Sequence, residues 1–260
     1  MGSASRVALT SAKAAVAKAK GLSVAAGAAI LSVGRAIGET PALRAALANP
    51  VADAKAKAAL VDGVVGKLDA TASSLLHVLV GERWSSADEM LAGIEEIGIR
   101  VIAAGSSDAI ETELFTIARA VAANPELELA LSAKRGGAEA KRTLAGAVLK
   151  GASSATTEIV GHLVSQPRGR RIRALLDQAQ NIVADQQGRG VATVTVAQPL
   201  DAAQRDRIVS VLRARFGRDH HLDEIVDESI VGGFTVQVGN DTIDASIRSR
   251  LTELSSKLAG

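Results

Sequence analysis

The 260-residue chain is long enough for one large domain or two modest ones, with nearly half its residues apolar and a formal net charge of only +2. It has no cysteine, which excludes disulfides, thiolate metal sites and a cysteine nucleophile. Aromatic residues are almost absent: one Trp, no Tyr and three Phe, so base-stacking nucleic-acid modules find no support.

The first twenty residues carry Arg6, Lys13, Lys18 and Lys20, which rules out a secretory signal reading. The apolar stretch 22–33 is too short to span a bilayer. A soluble chain is expected, with any membrane association made through partners. The first acidic residue is Glu39, so residues 1–38 are purely basic; Arg168, Arg170, Arg171 and Arg173 form a second basic cluster. Such clusters read either as solvated faces and loops, or as docking points for an acidic partner or anionic headgroups.

Residues 1 to about 188 read as helix after helix, as Ala-rich sequence with scattered charges favours. Leu60, Val64 and Leu68 predict one apolar stripe; Leu75, Leu76, Leu79 and Val80 predict another after a cap-rich break at 69–74. Ile172, Leu175, Leu176, Ala179, Ile182 and Val183 predict the clearest, spaced i, i+3, i+4, i+7.

An internal repeat runs through this region with a constant offset of 84 residues. Thr40-Pro41-Ala42-Leu43 matches Asn124-Pro125-Glu126-Leu127, Lys57 matches Lys141, and Leu75-Leu76 matches Ile159-Val160. Two similar helical units are expected, each needing a neighbour to cover its apolar face.

The pattern changes at a polar, Gly-containing linker, 185–190. Residues 192–196 alternate like a strand, and Asp201 with Gln204 forms a capping-box signature for a helix that stops at Gly217. Residues 221–228 and 230–238 read as further strands, Gly239-Asn240-Asp241 as a turn. Asp244 or Ser246 is expected to cap a last helix with Ile247, Leu251, Leu254 and Leu258 on its buried stripe. The fold class is a mainly α N-terminal bundle, duplicated, followed by a small α/β domain. The expected divisions are 1–110, 111–187 and 188–260.

Nothing in the sequence points to chemistry. Gly232-Gly233 lacks the Lys-Ser/Thr that a phosphate loop needs, and strand follows it, so a bulge or tight strand packing explains it better. Asp244, Ser246 and Arg248 sit where capping accounts for them. His220 and His221 diverge on a strand; Asp219, His221 and Asp223 share a face but read as solvent-exposed. No catalytic, cofactor-binding or metal-ligating residue is assigned.

The order Val226-Asp227-Glu228-Ser229-Ile230-Val231-Gly232-Gly233-Phe234, then Gly239, then Ile243-Asp244-Ala245-Ser246-Ile247-Arg248 and Leu251, resembles the C-terminal region of the ATP synthase delta (OSCP) family. Gly232, Gly233, Gly239, Asp244, Ser246, Arg248 and Leu251 are the motif residues that carry the resemblance, in structural roles. The two helical units and the reduced Arg6-Val7-Ala8 resemble the long, actinobacterial-type form.

The resemblance implies a non-catalytic stator subunit of the F-type ATP synthase, needing no cofactor. It implies that the helical part holds the N-terminal helices of the α subunits, and that the C-terminal part holds the C-terminal end of the peripheral-stalk b subunit, coupling proton transport to ATP synthesis. One copy in a hetero-oligomeric complex is implied, peripheral on the cytoplasmic side of the cell membrane, with no nucleic acid and no span of its own. The rival reading is a generic helical adaptor unrelated to ATP synthase.

Overall fold

The computed structural model describes residues 1–66, 68–132, 137–230 and 232–246. Two compact units divide after Val183.

The first unit is helical. Its elements are α1 (Ser3–Lys18), α2 (Val24–Glu39), α3 (Pro41–Ala48), α4 (Ala54–Val65), α5 (Ala70–Gly81), α6 (Ala87–Ala104), α7 (Ile110–Ala122), α8 (Pro125–Ser132), α9 (Ala138–Gly146), α10 (Ser154–Ser165) and α11 (Ile172–Gln186), whose last residues cross into the second unit. Short polar side chains start these helices by accepting from otherwise unpaired first-turn N–H groups. Ser23 accepts from Ala26, Asp53 from Lys55 and Ala56, Asp69 from Thr71 and Ala72, and Ser86 from Glu89. Pro41 and Pro125 open α3 and α8, where a missing N–H costs nothing.

Helix starts recur at one interval. α1 and α6 begin at 3 and 87, α3 and α8 at 41 and 125, α4 and α9 at 54 and 138, α5 and α10 at 70 and 154, each 84 residues apart. Lys57 and Lys141 are both buried in the same register. α6 therefore stands sixth in one set of helices and first in the next.

Its burial fits that double position. Met90, Ile94, Ile97 and Val101 face a core built with α1–α5 and Trp84. Ile99, Ile102 and Ala103 face a second core built with α7–α11, joined by Leu31 of α2. A helix apolar on all sides is one surrounded by protein. Glycine lets α2 approach it closely: a Cβ on Gly27 would lie 2.7 Å from the Gly98 carbonyl oxygen, and one on Gly98 would lie 2.5 Å from Leu31.

Two stripes are buried as read, Leu75-Leu76-Leu79-Val80 and the one from Ile172 to Val183. The α4 stripe is a correction. Leu60 and Val64 are 43% and 55% exposed, and α4 buries Lys57 and Val61 instead. A lysine can cover core with its four-carbon stem, so its charge does not mark the solvent side. Asp62 bonds His77 of α5 at 2.8 Å, which fixes that rotation of α4.

The second unit is a four-stranded sheet with one helix. β1 (Arg189–Val196), α12 (Ala202–Phe216), β2 (Asp219–Val226), β3 (Phe234–Val238) and β4 (Asp241–Asp244) give the order β2-β1-β3-β4. β1 and β2 are parallel; β1–β3 and β3–β4 are antiparallel. β1 alternates half-buried and buried residues, and Ala192, Val194 and Val196 pack with Ile208, Leu212 and Val236. The Asp201–Gln204 capping box forms with both of its bonds, and Gly217 ends α12 in the left-handed conformation, φ 71°.

β3 starts at Phe234 rather than at 230, because 227–230 is turned back: Asp227 N–H donates to the Val196 carbonyl and Asp227 accepts from Ser229 N–H. β4 takes in Asp241, expected in a turn, and Asp244, expected as a helix cap; its alternation, Asp241-Thr242-Ile243-Asp244, is too short and polar to stand out. The predicted last helix, with Ile247, Leu251, Leu254 and Leu258, lies outside the described residues.

Candidate docking sites

In the second unit the motif glycines have distinct reasons. Gly233 is left-handed, φ 81°, and a Cβ there would press into the Ala245–Ser246 backbone, 2.8 Å from the Ser246 Cα. No L-residue with a side chain fits both conditions. Gly232 leads into that step, and Gly239, φ 57°, forms with Asn240 the two-residue turn of the β3–β4 hairpin. The Asp244 carboxylate accepts from Ser246 N–H at 2.9 Å. Backbone and side-chain hydrogen bonds from Ser246 hold it below the usual carboxylate range. Arg248 and Leu251 lie outside the described residues. The motif thus fixes the end of a hairpin.

Beside it runs a groove of about 800 Å³ between α12 and the sheet, with Pro199, Ile208, Val211, Phe234 and Ile243 among its lining residues. Asp201, Gln204 and Arg207 also line it. Val211 is 57% exposed in this wall.

The strand histidines differ from the reading. Asp223 is buried, 3.4 Å from His221 Nε2, and His220 is buried edge-on against Phe216, ring centroids 5.4 Å apart. β2 buries His220 and Asp223 three residues apart, so strict alternation does not hold along this strand.

In the helical unit a cleft of about 410 Å³ opens where the end of α1 meets the start of α5. Ala15, Ala19, Ala70, Thr71 and Ser74 line it, with Lys18 and Lys20 at one end. Small side chains permit an approaching helix to pack closely.

Half of the second basic cluster is structural: Arg168 and Arg170 turn inward, while Arg171 and Arg173 are exposed. Arg170 bonds both oxygens of Glu95 on α6 at 2.9 Å, a bidentate fork. Arg168 Nη2 lies 2.9 Å from Glu95 Oε2. His162 Nε2 donates to the same oxygen at 3.3 Å, while its Nδ1 faces Arg35 Nη1 at 3.2 Å, which selects the Nε2–H tautomer. Burial alone would raise the Glu95 pKa; bonds from His162 and Arg170 and the charges of Arg168 and Arg170 outweigh it and lower it to about 2. Burial holds His162 below its ordinary value, so it is neutral near pH 7. A freely solvated face does not describe Arg168 and Arg170, because much of their charge is turned onto a carboxylate 3% exposed. Glu95 itself escaped sequence reasoning. Its signal was a carboxylate inside the apolar run Leu91–Ala104.

Among the described residues, no helix is long and apolar enough to cross a membrane, and no group of three His, Asp or Glu could hold a metal ion.

The family described as ATP synthase delta (OSCP) subunit matches residues 101–258. A protein of Leifsonia xyli described as ATP synthase subunit delta is 45% identical over 234 residues, 89% of each chain. One of Renibacterium salmoninarum with the same description is 37% identical, again over 89% of each chain. One of Streptomyces avermitilis is 35% identical over 84% of this chain and 82% of its own. With its strand motif in place and relatives aligned along nearly its whole length, this chain belongs to the ATP synthase delta (OSCP) subunit family.

Proposed function

We propose that this chain, a non-catalytic stator subunit of the F-type ATP synthase, holds the N-terminal helices of the α subunits at the α1/α5 cleft and the C-terminal end of the b subunit with its second unit. The family match leaves the unrelated-adaptor reading without ground.

One observation carries the first half. The two helix sets, α1–α6 and α6–α11, we read as copies, so the α1/α5 cleft corresponds to the one between α6 and α10. In the second set a helix already lies there. α2 packs on both α6 and α10, with Gly27 on Ile102, Leu31 on Gly98 and Gly34 on Ile94. The positions 84 residues earlier on α1 are Thr10, Ala14 and Lys18, all exposed. Val7, one turn before, is 68% exposed. The cleft on α1/α5 is thus a helix seat whose counterpart within the same chain is filled. An amphipathic helix presenting apolar anchors at i, i+3, i+4 and i+7 fits it.

For b, the groove along α12 offers apolar anchors of about 1.5–3 kcal/mol each when fully covered. A few such anchors reach the ~12 kcal/mol of a nanomolar contact after association costs. In this arrangement one copy of the chain sits on the cytoplasmic side of the cell membrane, peripheral and held through its partners. Bridging the two partners stops the catalytic head from turning with the rotor, and proton flow is coupled to ATP synthesis.

The test is binding of an α N-terminal peptide to the full chain. Ala14→Trp puts a bulky side chain on the exposed stripe of α1, at the position matching Gly98, and leaves the core alone. It is expected to weaken the peptide by at least about tenfold, or ~1.4 kcal/mol, while b binding stays unchanged. Equal affinity for the α peptide would remove the cleft from the stator role.

A further inference from the structure

A cleft of about 630 Å³ opens next to the Glu95 centre. Arg44 of α3, Asp88 and Leu91 of α6, and the 165–170 connection from α10 to α11 wall it. Three guanidiniums, Arg44, Arg168 and Arg170, line the cleft against one carboxylate, Asp88. Glu95 behind them is already shared by Arg168, Arg170 and His162. Positive charge is therefore in excess on a recessed wall.

Arg170 is fully engaged, with Pro167, Glu95 and Gln178, but Arg44 and Arg168 are held more loosely. Arg44 meets Asp88 only at 3.9 Å, beyond hydrogen-bond length, and the Asp88 side chain is 84% exposed. Arg168 Nη2 is buried beside Glu95 but lacks a hydrogen-bond alignment to it. Burial, more than any neighbour, lowers the Arg168 pKa, against the pull of Glu95, which raises it. Arg168 also holds φ 48°, rare for a residue with a Cβ, to bring its side chain there.

We infer that this cleft is a docking point for the carboxylate of an acidic side chain on a neighbouring protein segment. Planar guanidiniums match a carboxylate fork. Leu91, Ala92 and Pro167 give an apolar surface for the methylene stem of a glutamate. Side-chain exposures of 22% for Arg168 and 28% for Arg170 leave them reachable by a side chain on a stem and recessed from a flat lipid surface. The chain's own Asp88 shows the position in outline, a carboxylate from the first turn of a helix facing Arg44 without closing on it. Arg44 comes from the first helix set and Arg168 and Arg170 from beyond the end of α10, so a chain with one set alone would not build this cleft.

The experiment uses the full chain at low ionic strength, titrated calorimetrically with three probes: a capped Ala-rich helical peptide carrying two Glu one turn apart, the same peptide with Gln for Glu, and inorganic phosphate. None depends on the α1/α5 seat, so the inference and the α-docking proposal fail separately. The Glu peptide is expected to bind and the Gln peptide not. Arg44→Gln, half-buried and outside the Glu95 centre, is expected to weaken the Glu peptide by about tenfold; Asp88→Asn, which removes the competing carboxylate, is expected to tighten it. Equal binding of the Gln peptide, indifference to Arg44→Gln, absence of binding, or phosphate binding as tightly as the peptide would each overturn the inference, the last by making the cleft a free-anion site.

Discussion

The two helix sets share four starts 84 residues apart, yet the seat on α6/α10 is filled by α2 and the one on α1/α5 is left open. At three corresponding positions α6 carries Ile94, Gly98 and Ile102, and α1 carries Thr10, Ala14 and Lys18. The first trio receives α2 at distances a single Cβ would spoil. The second stays polar enough to face water. One backbone pattern thus yields an interior or a surface, and the side chains on one helical stripe decide which.

The largest expected effect tests what joins the sets. Glu95→Ala leaves Arg168 and Arg170 without their shared anion and should cost about 3–5 kcal/mol, read from urea unfolding. A loss below ~1 kcal/mol would mean that the arginines find water instead.

Acid should reproduce much of that loss. The folded Glu95 pKa, about 2, is below its ordinary 4.5, so its contribution is complete above pH 4.5 and fades as pH falls towards 2. Such a shift is worth about 3 kcal/mol. The melting temperature of the chain should therefore fall more steeply through this window than that of Glu95→Gln. Parallel profiles would assign the acid sensitivity to other carboxylates.

A pair of matched substitutions sharpens the contrast between grooves. Gly98→Leu forces α2 off α6 and should destabilise by about 1–3 kcal/mol or more. Ala14→Leu, its counterpart on α1, should stay within about 0.5 kcal/mol, because Ala14 is exposed. Similar losses at both would mean that the seat on α1 is already covered. A finer contrast concerns caps 84 residues apart. Asp69→Ala should cost about 1 kcal/mol. Ser153→Ala should cost more, since the Ser153 hydroxyl also bonds Glu113 at 2.7 Å.

Much of this architecture was legible in the sequence where the chemistry is local. The capping box at Asp201 and the stop at Gly217 depend on a few adjacent residues and stand as expected, whereas the break expected at 69–74 shrinks to its first residue, because Asp69 caps a helix that begins at Ala70. The motif at Gly233 was legible as a tight step, though its contact, the backbone at Ala245, is made twelve residues away. What stayed hidden was decided at long range. The inward turn of Arg168 and Arg170 requires Glu95, some 75 residues earlier. The rotation of α4 requires His77 and a lysine stem, and periodicity counts a buried Lys57 against the true face. The filled groove at α6/α10 could not be read from either helix set alone, because the occupant, α2, belongs to the other.

The shared helix has a mechanical consequence. Two bundles joined by a linker would swivel under torque and store little of it. Here the joint is α6, a continuous rod of 18 residues, about 27 Å long, with a core on each side. Twisting one set against the other must shear both cores together and strain the close glycine crossing with α2. Such a joint is stiff, and it returns elastic energy instead of yielding at a hinge.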